Sequence, residues 1–317
     1  MRLSLSLLLA VVVSAIPLAV AAPPHPSTFS IVAVDREAGE AGVAVASRFF
    51  AVGAVVPYAK AGVGAVATQA FSSPTFGPRG LDLLERGLNA DEAVQVLLRA
   101  DDDRAQRQLG VVAANGDSAT FTGAKANAWA GGRRGPGYAV QGNILTGEDV
   151  VVAMEKAFIE SKGKPLAERL YAALVAGDAK GGDSRGRQSA VLVVVRAKAG
   201  YGGSSDRAVD VRVDDHADPI VELGRLVGLA LVNDDWNRAW TAFTGKKFAE
   251  ALPWQERAVT KAEKHPGMLP EVVYDLAVIR LAAGDRDGAK QALERALTLN
   301  PKLRQQSEND PDLEKLR

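Results

Sequence analysis

The chain has 317 residues, of which 47% are apolar and 24% charged, with 38 acidic and 38 basic side chains. This composition is typical of a globular protein large enough for two domains, and the balanced charge argues against a nucleic-acid partner, which would leave a basic excess. Cysteine is absent and there are only three histidines, so thiolate zinc sites, a cysteine nucleophile and a Ser-His-Asp triad are difficult to build. We expect no metal and no organic cofactor.

The N-terminal segment has the pattern of a secretory signal peptide. A basic start precedes an apolar run, and residues 19–21 form a small-x-small cleavage site. The alternative is an uncleaved membrane anchor, because the apolar run approaches the roughly 20 residues of a spanning helix. We expect residues 1–21 to be a signal peptide, residues 22–27 to be a Pro-rich segment, and the protein to be exported to the periplasm or the exterior.

Residues 28–231 predict one layered domain. Its strands are short, rich in Gly and Ala and apolar on both faces, as expected when both sides are covered; they are predicted over 28–35, 42–47, 52–56, 62–68, 109–113, 118–122, 138–142, 191–196 and 209–213. Helical patterns, with Asn89 and Asp218 as caps, occupy 80–87, 90–100, 148–160, 165–176 and 218–231, and residues 129–137 read as a loop. Because strand runs alternate with helix pairs, the sequence predicts an α+β fold arranged as a four-layer αββα sandwich.

Thr28 opens the first predicted strand, shortly after the leader. A hydroxyl residue at the N-terminus of a mature chain can attack a carbonyl while its own α-amine takes the proton. The alternative interpretation is a β-branched residue that merely begins a strand.

Six blocks of the chain resemble the bacterial family called domain of unknown function 1028. They are STFSIVA at 27–33, GVAVAS at 42–47, AGVGAVATQ at 61–69, QGN at 141–143, GGDSRGRQSA at 181–190 and RVDDH at 212–216. The resemblance covers residues 28–231, with the blocks in the right order. That family is grouped with the N-terminal-nucleophile hydrolases, an αββα superfamily that includes proteasome subunits and amidases, and its substrate is unassigned.

The resemblance implies that Thr28 is the nucleophile. Lys60 precedes the third strand, where a cation would lower the pKa of the amine and the hydroxyl, although a solvated turn lysine is an equal alternative. Asp183, with Ser184 and Ser189, resembles the Asp-Ser pair that orients an N-terminal amine by charge-assisted hydrogen bonds.

Four further residues are candidates for substrate or oxyanion contacts, namely Gly64, Gln69, Asn143 and Arg185. Gly64 could present a backbone N–H to an oxyanion. A capped turn explains Asn143 equally well, and a structural turn with a salt bridge between Asp183 and Arg185 is the alternative for that pair.

The acidic run at 214–218 invites a hard-cation site, but the loop pattern of such a site is missing. A strand end followed by a helix capped by Asp218 explains the run, so we expect no metal there.

The leader creates one departure from the family pattern. Cleavage after Ala21 leaves Thr28 seventh in the mature chain, so its amine stays in a peptide bond. The N-terminal mechanism therefore requires a second cut between Ser27 and Thr28, by self-cleavage or by another peptidase. Without that cut, we expect the protein to bind rather than hydrolyse.

Composition changes after residue 235, where helix formers replace glycine. Residues 236–317 predict a small all-α module similar to tetratricopeptide repeats, on a small-large pattern made by Tyr274, Leu276, Ala277, Leu281, Gly284, Ala289, Leu293, Ala296, Leu297 and Pro301. Residues 236–317 have room for only about one and a half such repeats, and so few repeats cannot bury a solenoid core alone. The module either offers a groove to a protein or cell-wall partner or caps a sheet edge, and the tail from Gln305 is predicted to fray.

Two functions follow from these patterns. The first is an exported amide-bond hydrolase that acts on a small amide or peptide-like substrate through Thr28. The second is a non-catalytic envelope protein that binds a partner through residues 236–317. The sequence does not give the oligomeric state, although strand edges and a short helical module are compatible with a homodimer.

Overall fold

The structure is a computed structural model that describes residues 28–316, so the predictions made for residues 1–27 lie outside it. The strands are β1 Thr28–Asp35, β2 Glu40–Ser47, β3 Pro57–Lys60, β4 Gly64–Ala70, β5 Arg107–Ala113, β6 Ser118–Thr122, β7 Gly131–Gly135, β8 Tyr138–Asn143, β9 Ser189–Val195 and β10 Arg207–Val213. The helices are α1 Phe76–Glu85, α2 Ala90–Arg99, α3 Asp149–Glu160, α4 Leu166–Ala179, α5 Pro219–Thr244, α6 Phe248–Ala262, α7 Leu269–Ala282, α8 Arg286–Leu299 and α9 Leu303–Asn309.

The strands form two antiparallel sheets that pack face to face. The first sheet has the order β10-β9-β2-β1-β8-β7 and the second the order β3-β4-β5-β6. Val32 and Val43 of the first sheet share a buried core with Ala65 and Val112 of the second. Because successive side chains of a strand point to opposite faces, β1 also sends Ile31 to the other side of its sheet, where helices cover it.

Helices form the two outer layers. Helices α3, α4 and α5 cover the first sheet, with Leu170 and Leu192 in the shared core. Helices α1 and α2 cover the second sheet through Leu97, Leu109 and neighbouring residues. The expected mixed α+β class with a helical C-terminal region is confirmed.

Helix α2 begins where its sequence predicts. The Asn89 side chain accepts from the Glu92 backbone N–H, and the Glu92 carboxylate accepts from the Asn89 N–H, each at 2.9 Å. This reciprocal pair satisfies two N–H groups that a helix start otherwise leaves without partners. Asp218 does not cap α5 in the same way, because its side chain makes no capping bond and pairs with Arg187 instead.

Two strand predictions are corrected. Val52–Ala54, predicted as strand, forms a 3-10 turn, and the strand is the following segment Pro57–Lys60. The Val52 N–H donates to the Ser189 hydroxyl at 3.2 Å rather than to a neighbouring strand. Residues 131–135, predicted as loop, form the edge strand β7. An edge strand has one neighbour and exposed side chains, so it lacks the apolar pattern on which the prediction relied.

Helix α5 runs without a break through the predicted domain boundary near residue 235. Its 26 residues span about 39 Å at 1.5 Å per residue. Helices α6 to α9 follow and share a separate core that includes Val272, Ala277 and Ala296. None of the helices within residues 28–316 combines the length and apolar character needed to cross a bilayer.

The C-terminal tail is ordered, whereas the sequence predicted that it frays from Gln305. After α9, residues Pro311–Leu316 form a 3-10 turn, and Leu313 is buried in the helical core. The Tyr274 hydroxyl donates to the Asp310 carboxylate at 2.7 Å. One apolar anchor and one hydrogen bond therefore hold a segment whose composition is mostly polar.

Candidate active site

A row of polar side chains crosses the first sheet where β1 begins. Ser189, Ser47, Thr28 and Asn143 are register partners on β9, β2, β1 and β8. Side chains of directly paired residues lie on the same face of a sheet, and this face is the one that packs on the second sheet. All four residues are buried. We refer to them as the polar row.

Thr28 is fully buried at the centre of this row. Its Oγ1 lies 3.1 Å from the Oγ of Ser47. Its backbone carbonyl accepts from the Gln69 side-chain amide at 3.3 Å and from the Asn143 amide at 3.5 Å. Hydrogen bonds from both sheets therefore fix the position of the Thr28 backbone.

The second sheet supplies the amides beneath Thr28. Gln69 and Gln108 are register partners on β4 and β5, and the Gln69 Nε2 donates to the Gln108 Oε1 at 2.8 Å. The same oxygen accepts from the Asn143 Nδ2 at 3.0 Å. The Gln108 Nε2 in turn donates to the Gly142 carbonyl at 2.7 Å. These bonds join the two sheets through groups that carry no charge.

A second tier of bonds lies one step deeper between the sheets. The Ser30 hydroxyl donates to the Gln69 Oε1 at 2.5 Å. The Gln141 Nε2 donates to the Ser30 Oγ at 2.6 Å. Gly110 of the second sheet faces the Gln141 side chain, and a Cβ at residue 110 would lie 2.2 Å from its Oε1. The absence of a side chain at Gly110 therefore makes room for Gln141. We refer to Gln69, Gln108, Gln141 and Asn143 as the amide cluster.

Asp183 lies at the end of the first sheet, beside the start of β1. Its carboxylate accepts from the Arg48 backbone N–H at 2.7 Å, and Arg48 follows Ser47, the register partner of Thr28. The carboxylate also binds the Arg185 backbone N–H at 2.9 Å and the Arg185 guanidinium at 3.1 Å. Asp183 and Arg185 are thus brought to the edge of the polar row, and the salt bridge of the alternative interpretation is present at 3.1 Å.

Ser189 belongs to the polar row but has its own partners. Its hydroxyl donates to the Phe49 carbonyl at 2.5 Å and accepts from the Val52 N–H at 3.2 Å. These bonds hold the chain that leaves β2. Ser184 likewise donates to the backbone carbonyl of Ile144 at 2.8 Å, so both serines support backbone next to the row.

The structure does not bring Lys60 or Gly64 to Thr28. The two residues pair with each other across the β3–β4 hairpin, whereas Gln69 lies at the other end of β4. Five steps along a strand separate Gly64 from Gln69, which is about 17 Å. The Lys60 ammonium is half-exposed and binds the Glu85 carboxylate at 2.6 Å. The side chain that faces Thr28 from the second sheet is Gln69.

The acidic run after β10 is engaged in local bonds. Asp215 accepts from the Gln188 amide at 3.1 Å, and the His216 Nδ1 accepts from the Asp218 backbone N–H at 3.0 Å. In the part of the chain that the structure describes, no group of three or more His, Asp or Glu side chains is arranged to hold a metal ion.

Four residues of the site were not predicted from the sequence, namely Ser30, Ser47, Gln108 and Gln141. Each is a buried polar residue at an inner-face position of a strand. A polar residue in such a position must find a partner or lose stability. That pattern, followed across β1, β2, β5 and β8, would have indicated one shared cluster.

Comparison with known proteins identifies the family of the chain. The chain belongs to the Family of unknown function (DUF1028), whose model matches residues 28–223, the two sheets and most of their helices. A crystal structure of a protein of that family from Silicibacter pomeroyi is similar, with 32% sequence identity and a TM-score of 0.61 over 67% of this chain and 91% of that one. No curated protein matches the chain.

Proposed function

We propose that the protein is an exported amide-bond hydrolase in which Thr28 acts as an N-terminal nucleophile. The observation that carries the proposal is the position of Thr28. It is the first residue of a central strand, its hydroxyl contacts Ser47, and amides from both sheets hold its carbonyl. Hydrogen bonds of this kind fix the orientation of the nucleophile relative to both sheets.

The proposed reaction begins after the Ser27–Thr28 bond is cut. The Thr28 Oγ1 attacks the carbonyl carbon of the substrate while the freed α-amine takes the hydroxyl proton. That proton passes to the leaving amine when the C–N bond breaks, and an ester to Thr28 remains. Water then hydrolyses the ester and regenerates the hydroxyl. In this proposal Ser47, whose Oγ lies 3.1 Å from Oγ1, carries the proton between oxygen and nitrogen.

Asp183 is the proposed partner of the freed amine. Its carboxylate accepts a hydrogen bond from the backbone N–H of Arg48. Arg48 follows Ser47, the register partner of Thr28, so we propose that Asp183 lies on the side of the sheet where the Thr28 nitrogen emerges. A carboxylate there stabilises the ammonium form that the mechanism passes through. Arg185 keeps this carboxylate oriented through its own two bonds to it.

Asn143 is the proposed oxyanion donor. Its Nδ2 makes a good bond to Gln108 at 3.0 Å but only a long one to the Thr28 carbonyl at 3.5 Å. In this proposal the hydrogen of the longer bond turns to a developing oxyanion at the substrate carbonyl. An oxyanion donor of this kind contributes roughly 10²–10³ in rate in other hydrolases.

The layer order of helices, sheet, sheet and helices supports a relationship to the N-terminal-nucleophile hydrolases, which we include in the proposal. The helix pair α7 and α8, joined at Gly284 and Asp285, similarly supports a tetratricopeptide-like character for the C-terminal region. We also propose that residues 1–21 direct export.

A binding role through the C-terminal helices is the second candidate. A groove of about 360 Å³ crosses α6, α7 and α8, with Val259, Leu276 and Ala292 among its lining residues and Arg280 and Arg295 at its sides. Such a groove suits a peptide-like segment of a protein or cell-wall partner. This role requires no cut before Thr28 and no reactive hydroxyl.

An assay distinguishes the two candidate functions. A chain prepared to begin at Thr28 is tested on a panel of fluorogenic amides. We expect Thr28→Ala to abolish turnover and Thr28→Ser to retain part of it, whereas Thr298→Ala, an exposed helical threonine, should have no effect. If the unsubstituted chain that begins at Thr28 turns over none of these amides, the proposed hydrolase function is contradicted.

A further inference from the structure

We infer that a groove bordered by the turn after β9 and by helices α5 and α6 binds a small organic dicarboxylate. The groove measures about 450 Å³, a volume that suits one entire small ligand. It begins just beyond Val195, the last residue of β9, whereas Ser189 at the other end of β9 pairs with Ser47 beside Thr28. The site therefore lies at the opposite end of the first sheet from Thr28 and does not depend on the reaction proposed for that residue.

Three parts of the chain border the groove. The turn after β9 contributes Lys198, and the C-terminal half of α5 contributes Asn237 and Thr241. Lys247, which directly precedes α6, and Trp254 within that helix complete the border. The turn and α6 both pack against α5. Residues that are distant in the sequence therefore meet around one space.

Two guanidinium groups of the lining belong to a balanced network. Arg196 pairs with Glu40 and with Asp234, and Arg238 pairs with the same two carboxylates. Two positive and two negative charges leave this network neutral. The Arg238 guanidinium also lies 4.5 Å from the centre of the Trp254 ring. The network therefore holds Arg238 at the groove without giving the lining a net charge.

The remaining charged residues of the lining give it a positive surplus. They are Lys198, Lys247 and Glu250. Lys198 is exposed and forms no ion pair with any residue from 28 to 316. Lys247 pairs with Glu250 at 3.4 Å, but the two side chains are 67% and 58% exposed, and a pair so exposed contributes little. Both ammonium groups are therefore available to an anion that enters the groove.

Uncharged donors lie among these cations. Within the part of the chain that the structure describes, the side chains of the half-buried Asn237 and of Thr241 make no hydrogen bond. Arg238 uses Nε and Nη2 for Asp234 and Glu40, which leaves its Nη1 to donate elsewhere. Carboxylate oxygens accept hydrogen bonds from amide, hydroxyl and guanidinium groups alike. The groove thus offers hydrogen bonds as well as charge.

The placement of the two lysines indicates the class of ligand. Lys198 follows β9 and Lys247 precedes α6, so the two ammonium groups come from different elements. A ligand with two separated carboxylates matches this arrangement better than a ligand with one anionic centre. Each carboxylate would gain a charge-assisted hydrogen bond, and the chain between them would lie along α5.

The test is isothermal titration calorimetry of the full chain at low ionic strength, where exposed charges are least screened. The probes are succinate, glutarate and adipate, with two comparison compounds. Monomethyl glutarate has the length of glutarate but one carboxylate, and inorganic phosphate has one anionic centre. We expect the best dicarboxylate to bind about fivefold tighter than either comparison compound, because a second exposed ion pair contributes about that factor.

Three variants locate the binding. Lys198→Ala should weaken the best dicarboxylate about fivefold and leave monomethyl glutarate less affected. Glu250→Gln should strengthen binding of the dicarboxylate, because it removes the carboxylate that competes for Lys247. A variant that was merely misfolded would not bind more tightly. Lys164→Ala is the matched control, since Lys164 is an exposed lysine outside the groove, and it should change neither affinity.

Several results would overturn the assignment. No heat of binding with any of the three dicarboxylates would remove the site. Equal affinities for glutarate and monomethyl glutarate, with no advantage for succinate or adipate, would contradict the dicarboxylate class, as would tightest binding by phosphate. Equal losses in Lys198→Ala and Lys164→Ala would show that anions respond to the overall charge and not to this groove.

Discussion

At the scale of single residues, Thr28 depends on side chains that are themselves fully bonded. Four buried side-chain atoms within residues 28–316 lack a hydrogen-bond partner, and none of them belongs to the polar row or to the amide cluster. Removing one member of such a network leaves a buried donor or acceptor unpaired, which costs about 1–3 kcal/mol. The cluster is therefore both a support for Thr28 and a source of stability.

Gly110→Ala tests the amide cluster without removing any polar atom. The added methyl group would lie 2.2 Å from the Gln141 Oε1, so the Gln141 side chain must shift within its hydrogen-bond network. We expect the free energy of unfolding to fall by about 1–3 kcal/mol, as for other overpacked sites. Urea unfolding measures the change.

Gly147→Ala is the control for that substitution, because no atom lies within 4 Å of a Cβ at residue 147 and its backbone is not left-handed. This variant should stay within about 0.5 kcal/mol of the parent protein. Equal effects of the two substitutions would mean that Gly110 is not needed for Gln141.

The sequence predicts some residues of the site and not others, and the difference has a physical reason. Thr28, Gln69 and Asn143 stand at strand ends within quoted sequence blocks, and the structure brings them together. Lys60 and Gly64 also stand beside a strand, but at its opposite end. The sequence indicates that a residue flanks a strand, whereas sheet order and register decide which strand ends meet.

At the scale of elements, the strands that were easiest to predict are those buried on both faces. β1, β4 and β9 are continuous apolar runs, and each was predicted within about two residues. The exposed edge strand β7 escaped prediction because its five residues are Gly and Arg. The position of α5 across the predicted boundary also escaped, since a change of composition does not require a break in a helix.

Asp275 makes the stability of the C-terminal helices depend on pH. Burial raises the pKa of its carboxyl to about 6, although the Trp236 indole N–H donates to it at 2.7 Å. The nearby carboxyl groups of Asp310 and Glu271 act in the same direction. Between pH 4 and 6, the folded chain therefore keeps a proton that the unfolded chain has lost.

We accordingly expect the contribution of Asp275 to the free energy of unfolding to fall as pH rises from about 4 to above 6, by on the order of 2–3 kcal/mol. Asp275→Asn should flatten this part of the profile and be the more stable protein at pH 7. Tryptophan fluorescence in urea, at a series of pH values, measures both proteins. Parallel profiles for the two would contradict the prediction.

At the scale of the whole molecule, the C-terminal helices join the sheets at the end opposite Thr28. Glu40 and Ser47 are the two ends of the eight-residue β2, about 23 Å apart. Ser47 contacts Thr28, whereas Glu40 pairs with Arg196 and Arg238 beside Asp234 of α5. A partner bound to α6–α8 would therefore not need to touch the proposed site.

Asp234→Ala tests how the two parts are joined. The carboxylate binds Arg196 at 2.7 Å and Arg238 at 3.0 Å, and its loss would leave two partly buried guanidinium groups with Glu40 alone. We expect a loss of about 3 kcal/mol of stability, with no change in the reactivity of Thr28. The control is Glu160→Ala, which removes an exposed pair with Lys156 and should cost less than about 1 kcal/mol.

The proposed mechanism depends on whether the Thr28 amine is free. The most direct measurement is the intact mass and N-terminal sequence of the mature protein, purified from its native host. We predict a chain that begins at Thr28, because the proposed mechanism requires a free Thr28 amine as the base. A stable, uncut chain that begins at Ala22 would contradict the N-terminal mechanism for this protein.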